Sequence, residues 1–429
     1  MYNRCIQQIY IYYNKGGKRL GILLEEDMKL KLPEMYKIKQ IFDSEKLLDI
    51  EKTLRNEICK DAIKNKIYPG QKIALAVGSR GIKNLYLIVK TIIEELKTLG
   101  ACPYVVSAMG SHGNGSEEGQ REVLKSYGIT KENLGVEIIT TVDVVMLSKT
   151  TKGVNVYFDK SAYEADLVIP INRIKLHTDF VGDLQSGLCK MLVIGLGNQI
   201  GCSSIHEEDP DNFADIIEEA ANIIISKANI GFGVAILENA YDETFMIEAV
   251  SSEILVKREK ELVKLAKKNM PTLMIPDIDV LIVEEIGKNI SGAGYDPNIL
   301  GKSSVLKTFI LEVPKIKRMI LLDITGESHG NGIGVGMFDI ITRNVYEKLD
   351  LEPMYANALA CKCIEDVRIP LIAKNEDEAI RVALKVCRGL DKEKLKIVKI
   401  KNTLSLEYIY VSKSLLEVVD SNKKLSIVQ

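Results

Sequence analysis

The chain has 429 residues, of which 46% are hydrophobic and 27% are charged, and its formal net charge is -2. One hydrophobic core rarely organises a chain of this length, so we expect two domains. Phosphate binding needs a surplus of basic charge, and the balanced charge therefore argues against a nucleic-acid partner. No stretch approaches the roughly 18 apolar residues of a membrane span, and the N-terminus lacks the apolar core of a signal peptide. We expect a cytoplasmic protein without a membrane partner.

In the first part of the chain, short apolar strands alternate with amphipathic helices. Continuous apolar strands that alternate with helices are typical of a mostly parallel sheet covered by helices. Ser116, followed by two acidic residues, is a typical helix N-cap. The predicted strands are Lys72–Val77, Pro103–Ala108, Asp166–Ile171 and a pair within Val234–Val250, and the predicted helices are Leu85–Leu99, Asp211–Lys227 and Glu253–Lys268.

A proline-containing break after residue 270 divides this pattern, and the alternation then restarts with strands at Val280–Glu284 and Met319–Asp323. Helices are predicted from Phe338 onward. The first seventy residues, with the tyrosine-rich segment Ile9–Tyr13, look like a β-rich start of the first sheet. We therefore predict an α/β protein with two domains, residues 1–270 and 271–429, each with a mostly parallel sheet and with an active-site cleft between them.

The chain holds four histidines, and each of them lies beside a glycine-rich segment. Ligands of open α/β sheets bind where such loops follow the carboxyl ends of strands. Histidine suits proton transfer near neutral pH, and its neutral ring binds nickel, zinc, copper and iron. The alternative is that these are solvent-exposed turn residues. The absence of H-E-x-x-H and of closely spaced Cys/His ligands argues against a metal cage made by the protein alone. The four residues are His112, His177, His206 and His329.

The segment Val77-Gly-Ser-Arg80 ends a predicted strand and precedes a predicted helix. A helix N-terminus and an arginine fork together can hold an anion such as a phosphate. The alternative is a solvated loop arginine. The spacing of Arg80, Lys190 and three of the histidines resembles that of the nickel-pincer-dependent lactate racemase superfamily. In particular, it resembles an uncharacterised racemase-like branch of that superfamily. Arg80 precedes His112 by 32 residues, His112 precedes His177 by 65, and Lys190 precedes His206 by 16.

This resemblance implies a cofactor, the nickel-pincer nucleotide, which is a nickel complex of a pyridinium thioamide/thiocarboxylate mononucleotide. It implies that the first domain binds this cofactor and that Lys190 tethers it covalently. His206 would be the nickel ligand, Arg80 would hold the phosphate, and Thr178 would contact the cofactor. The implied partners are a small-molecule 2-hydroxy acid as substrate and the proteins that synthesise the cofactor.

The resemblance also implies that His112 and His177 act as alternating acid and base on opposite faces of the substrate carbon. Two histidines are needed because each enantiomer presents its hydroxyl group to a different side, and each contributes about 10²–10⁴-fold. Lys288 is expected to bind the substrate carboxylate, whereas a structural turn is the alternative for Asn289 and Tyr295. The second-domain residues predicted to contact substrate are Lys288, Asn289, Tyr295 and His329.

The implied activity is that of a racemase or epimerase of a 2-hydroxy acid. The chain has no tryptophan, whereas characterised lactate racemases use one near the substrate, so we expect a larger or sugar-derived acid. A second hypothesis is a divalent-metal-dependent hydrolase or lyase. A third is a non-catalytic nucleotide-binding protein. The second hypothesis would use His112, His177 and His329 with Asp179 or Glu207.

Overall fold

The structure, a computed structural model, describes residues 22–79, 81–305 and 314–428. The predictions for Ile9–Tyr13 and Arg80 lie outside these ranges. The strands are β1 Met35–Gln40, β2 Lys72–Val77, β3 Cys102–Ser107, β4 Ile138–Ile139, β5 Val144–Lys149, β6 Asn155–Asp159, β7 Leu167–Arg173, β8 Phe232–Glu238, β9 Thr244–Ser251, β10 Asp277–Ile286, β11 Lys315–Ile324, β12 Ile340–Thr342, β13 Leu371–Ala373, β14 Ile397–Ile400, β15 Tyr408–Ser412 and β16 Leu425–Ile427.

The helices of the described residues are mostly short. Among them, no single helix is long and apolar enough to cross a membrane, although Leu188–Gly195 and Asn198–His206 reach that length together across a 106° bend. The α-helices are α1 Glu25–Met28, α2 Ile50–Ile58, α3 Asp61–Lys64, α4 Leu85–Thr98, α5 Glu117–Ser126, α6 Lys131–Leu134, α7 Lys160–Tyr163, α8 Leu188–Lys190, α9 Asn198–His206, α10 Phe213–Lys227, α11 Leu255–Asn269, α12 Pro297–Leu300, α13 Arg343–Lys348, α14 Leu351–Cys361, α15 Glu376–Val386 and α16 Leu416–Ser421.

Residues 42–271 form one compact unit around a six-stranded sheet of order β4-β3-β2-β7-β8-β9. In this sheet, the five strands β4, β3, β2, β7 and β8 run parallel to one another, and β9 runs antiparallel to β8. The central strand β2 is buried along Ile73–Val77 because apolar side chains cover both of its faces. The predicted α/β class and its mostly parallel sheet are confirmed.

The strand order creates a topological switch point in this unit. Strand β2 lies between β3, which follows it in sequence, and β7, which comes later. Val77 at the end of β2 pairs with Ser107 on β3 and with Ile171 on β7, so the three strands end at one edge of the sheet. Ligands of open α/β sheets bind at such a point, beyond the carboxyl ends of the strands. The loops that carry His112 and His177 leave the sheet at this edge.

The other compact unit combines Thr272–Gln429 with the chain up to Ile41, insofar as these residues are described. Its eight-stranded sheet has the order β13-β12-β11-β10-β14-β15-β1-β16. The strands from β13 to β14 are parallel, and β15, β1 and β16 form an antiparallel edge.

Two details of this unit differ from the prediction. The segment before residue 42 was placed in a domain of residues 1–270, but β1 completes the antiparallel edge of the second sheet, with Met35 opposite Ser412 and Ile38 opposite Ile427. The first of the helices predicted from Phe338 onward is preceded by β12, whose Ile340 and Ile341 are buried against β11.

Candidate active site around His177 and Lys190

The loop that follows β7 presents His177 at the switch point. Two backbone hydrogen bonds close this loop, from Lys175 N–H to Ser186 O (2.9 Å) and from Ser186 N–H to Lys175 O (3.1 Å). Inside it, the backbone N–H of His177 donates to Gln185 Oε1 (2.8 Å). Thr178, predicted to contact the cofactor, lies next in the loop and is half-buried. The loop therefore holds the His177 backbone in a defined position.

The side chains of His177 and Lys190 are in direct contact. The backbone N–H of Asp179 donates to Nδ1 of His177 (3.0 Å), and Nε2 of the same ring lies 2.6 Å from Lys190 Nζ. These two contacts fix the orientation of the imidazole against the amine. A lysine amine held against an imidazole is a candidate nucleophile.

Lys190 projects from an apolar helical segment with unusual backbone geometry. It is the last residue of α8 and is followed by a π-helical turn, Met191–Gly195, all of whose residues are buried. Its neighbours Leu188 and Cys189 are fully buried as well. Such π turns are rare and frequently lie at functional sites. The segment thus places one amine among apolar side chains, and that amine reaches His177.

His206 is the last residue of α9, in contrast to the loop position that its glycine-rich surroundings predicted. The helix begins at Asn198, a buried residue with φ of 50° whose Nδ2 donates to Asp159 Oδ2 (2.8 Å). Burial raises the pKa of Asp159 to about 6. A buried side-chain hydrogen bond therefore fixes the bend from which the His206 helix starts.

Two phenylalanines connect His177 with His206, and we call Phe180 and Phe213 the aromatic bridge. The His177 ring stacks on Phe180 with centroids 4.2 Å apart and an interplanar angle of 28°. Phe180 meets Phe213 edge-on at 5.8 Å, and Phe213 meets His206 edge-on at 5.5 Å. Both phenylalanines are buried. The two imidazoles consequently belong to one packed cluster.

Phe213→Ala is expected to lower the free energy of unfolding by about 3–5 kcal/mol, because it removes a buried ring and leaves a cavity between Phe180 and His206. Urea denaturation measures this change. Phe213→Leu, which keeps most of the apolar volume, should cost clearly less. Equal and small losses in both variants would show that the aromatic bridge contributes little to the packing of the histidines.

The loop after β3 brings His112 to the same segment of the chain. Ser79 Oγ, two residues after the end of β2, is hydrogen-bonded to Nδ1 of His112 and so orients the ring. The backbone N–H of Gly110 donates to Gly195 O (3.0 Å), at the end of the π turn. The His112 loop therefore lies against the π turn that follows Lys190.

Cys202 makes a further polar contact between α9 and the His112 loop. Its thiol donates to Ser111 Oγ (3.6 Å). Burial raises the pKa of Cys202, but hydrogen bonds with His206 and Ser111 outweigh this effect and hold the pKa below its ordinary value. The thiol thus lies beside the imidazole one helical turn further along α9.

The predicted substrate residues lie in the second unit. Lys288 follows β10, and its Nζ donates to Gly292 O (2.8 Å) and to Asn357 Oδ1 (2.9 Å). The neighbouring Asn289 accepts a hydrogen bond from Thr325 Oγ1 (2.7 Å). These side chains form a polar cluster at the carboxyl ends of the adjacent parallel strands β10 and β11.

Tyr295 and His329 differ in their surroundings. Tyr295 is 1% exposed, and its hydroxyl donates to Lys302 O (3.0 Å), which matches the structural alternative considered for it. His329 is exposed at the end of a 3₁₀ turn, with φ of 47°. Of these two predicted substrate residues, only His329 presents its side chain to solvent.

Sequence reasoning did not identify Ser79, Phe180, Cys202 and Phe213 as parts of the site. Ser79 lies within the predicted anion-binding segment, and Cys202 precedes His206 by one helical turn once α9 is known. The aromatic bridge has no such signal, because its two rings meet only through the fold. Spacing in the sequence therefore indicates reactive side chains more readily than it indicates the residues that pack against them.

Within the part of the chain that the structure describes, no three His, Cys, Asp or Glu side chains are grouped to hold a metal ion. The site consists instead of an amine, three imidazoles and a thiol around one helical segment. The molecule thus contains a doubly wound α/β unit with a lysine–histidine site at its switch point.

Comparison with known proteins relates the chain to lactate racemases. Residues 13–212, slightly less than half of the chain, match the lactate racemase N-terminal domain. The lactate racemase apoprotein from Thermoanaerobacterium thermosaccharolyticum has a similar fold, with a TM-score of 0.51 at 13% sequence identity over 87% of this chain and 99% of that one. No curated protein matches the sequence.

Proposed function

We propose that the protein is a racemase or epimerase of a 2-hydroxy acid that works with a lysine-tethered nickel-pincer nucleotide. The observation that carries the proposal is the contact between Lys190 Nζ and His177 Nε2 (2.6 Å) in the lactate racemase N-terminal domain. It combines a nucleophilic amine for a covalent tether with a base for the substrate hydroxyl group. The match to the lactate racemase N-terminal domain supports a racemase-type activity.

The residues present fit the cofactor. Lys190 offers an amine that would form the tether, and His206 offers an imidazole that would hold the metal. A site with a single protein ligand agrees with the absence of a three-residue cluster among the described residues. Soft sulfur and imidazole donors both suit nickel. When bound, the nucleotide would supply an acceptor and donor for the C2 hydride of the substrate.

The side chains of the protein would then move the proton. An acylated Lys190 has no basic lone pair, which leaves the imidazole of His177 as the base of the pair. The Asp179 carboxylate lies 4.0 Å from Nδ1 of His177 and would stabilise the imidazolium that forms. His112, oriented by Ser79, would serve the enantiomer whose hydroxyl group faces the other side.

The proposal is tested by the fate of the C2 hydrogen. Protein produced in cells that synthesise the cofactor is incubated with single enantiomers of C2-deuterated 2-hydroxy acids, from small to sugar-derived. NMR spectroscopy and chiral chromatography should show interconversion with deuterium retained, because a hydride does not exchange with water whereas a proton on histidine does. Lys190→Arg protein from the same cells is the control.

Two outcomes would contradict the proposal. Loss of deuterium to water at the rate of interconversion would indicate proton abstraction at C2. A hydrolysed or dehydrated product, formed with zinc or manganese and without a Lys190 adduct, would support the alternative hydrolase or lyase.

A further inference from the structure

A buried glutamate contacts the segment that carries Lys190. Glu259 lies on α11 and is fully buried. Its Oε2 accepts the backbone N–H of Cys189 (2.8 Å), the residue directly before Lys190. Among the described residues, its Oε1 has no hydrogen-bond partner. A carboxyl group placed in this way is costly, since burial without full hydrogen bonding disfavours it.

The backbone around Gly187 is built to admit this carboxyl group. A Cβ at position 187 would overlap Glu259 Oε1, so a larger residue before α8 would displace the carboxyl group. The carbonyl of Gly187 is held from the other side by Asn172 Nδ2 (2.8 Å), at the end of β7. Glu259 and Asn172 thus clamp the start of α8 between a helix and the central sheet.

Helix α8 needs such a clamp. It spans only Leu188–Lys190 and continues into a π turn, and so short a helix has no stability of its own. Its N-terminal N–H groups require acceptors, and Glu259 supplies one. Burial raises the pKa of Glu259 to about 7, although the Cys189 hydrogen bonds oppose this rise.

We propose that Glu259 is a positioning residue for Lys190: by accepting the N–H of Cys189 it fixes the turn from which the lysine amine reaches His177. Stability alone does not require an ionisable group here, because a neutral side-chain oxygen could accept the same N–H without burying a charge. This inference rests on the proposed function in one respect, namely that Lys190 is the residue that tethers the cofactor.

The test uses the full chain without cofactor. Reductive methylation with formaldehyde and cyanoborohydride is followed at each lysine by peptide mass spectrometry. In the unchanged protein, Lys190 should react faster than exposed Lys152. Glu259→Leu should slow Lys190 labelling by about 10-fold, as expected when the amine loses its contact with the His177 imidazole, and should leave Lys152 unchanged. Glu259→Gln, whose amide oxygen still accepts the N–H, should stay within about 2-fold.

Two further variants make the result decisive. Glu261→Leu changes an exposed glutamate on the same helix and should have no effect on Lys190 labelling. Gly187→Ala displaces the carboxyl group without altering it and should reproduce the slow labelling of Glu259→Leu, which covers the case in which the latter fails to fold. Folding is checked by circular dichroism.

The proposal would be overturned by unchanged Lys190 labelling in folded Glu259→Leu or Gly187→Ala protein. It would also be overturned if Glu259→Gln labelled as slowly as Glu259→Leu, because acceptance of the N–H would then be irrelevant. Failure of the proposed function alone gives a different result. Labelling of Lys190 in the absence of cofactor would still depend on Glu259, but no adduct would form on Lys190 in cells that produce the cofactor.

Discussion

Replacing Lys190 by alanine is expected to reduce interconversion of 2-hydroxy acids by about 10³-fold or more, to the background rate. The physical reason is that a tether keeps the reacting group at a very high effective concentration in one orientation, and that advantage is lost when the covalent link is absent. The measurement is the initial rate of racemisation by protein from cells that synthesise the cofactor.

Two control variants separate the tether from the charge. Lys190→Arg keeps a long cationic side chain but not a nucleophilic amine, so we expect the same loss as for alanine. Lys152→Ala removes an exposed lysine that donates to Asn212 Oδ1, and its rate should equal that of the unchanged protein. Substantial activity in Lys190→Arg would show that the amine is not needed for chemistry.

Substitution of either His112 or His177 by alanine should lower the racemisation rate by about 10²–10⁴-fold, the usual contribution of a general base. The two variants should differ in one respect. Each keeps the base for one enantiomer, so each should still convert that enantiomer to its 2-keto acid in a single turnover. Trapping the keto acid with a hydrazine measures this partial reaction.

Rescue distinguishes a proton-transfer role from a packing role. Added imidazole should restore part of the rate in both variants, whereas a loss caused by disturbed packing against Phe180 or Ser79 would not respond. If both variants failed to convert the same enantiomer to its 2-keto acid, the placement of the two bases on opposite sides of the substrate would be contradicted.

The sequence predicted the first sheet well wherever the local signal and the final packing agree. The apolar run Lys72–Val77 has the bounds of β2 as predicted, because it is buried on both faces and ends at a glycine. The Ser116 hydroxyl accepts the N–H of Gly119, as the capping pattern indicates. The fold class follows from such strands in alternation with helices.

Other features could not be predicted because they depend on contacts far apart in the chain. Strand β1 pairs with Tyr408–Ser412, and nothing in the local sequence of residues 35–40 indicates that partner. His206 was predicted in a glycine-rich loop, but burial of Cys202 and Ile205 stabilises a helix there in spite of two glycines nearby. Tertiary packing overrode a weak helical propensity in this segment.

Glu259 did leave a signal in the sequence. It occupies the buried face of α11 together with Leu255, Leu262 and Val263, where the helical spacing predicts an apolar residue. A charged residue within an apolar stripe is an exception to the pattern, and such exceptions are expected at functional sites. The position could have been singled out, but its contact with Cys189 could not.

The most direct test of the proposed covalent nickel site is the mass of the intact protein. The full chain is produced in cells that synthesise the pincer nucleotide, and its mass and nickel content are measured together. We predict a mass above that of the 47.8 kDa polypeptide, an adduct located on Lys190 by peptide mapping, and stoichiometric nickel that is lost in His206→Ala. An unmodified Lys190 and no bound nickel, in cells that load a known lactate racemase, would contradict it.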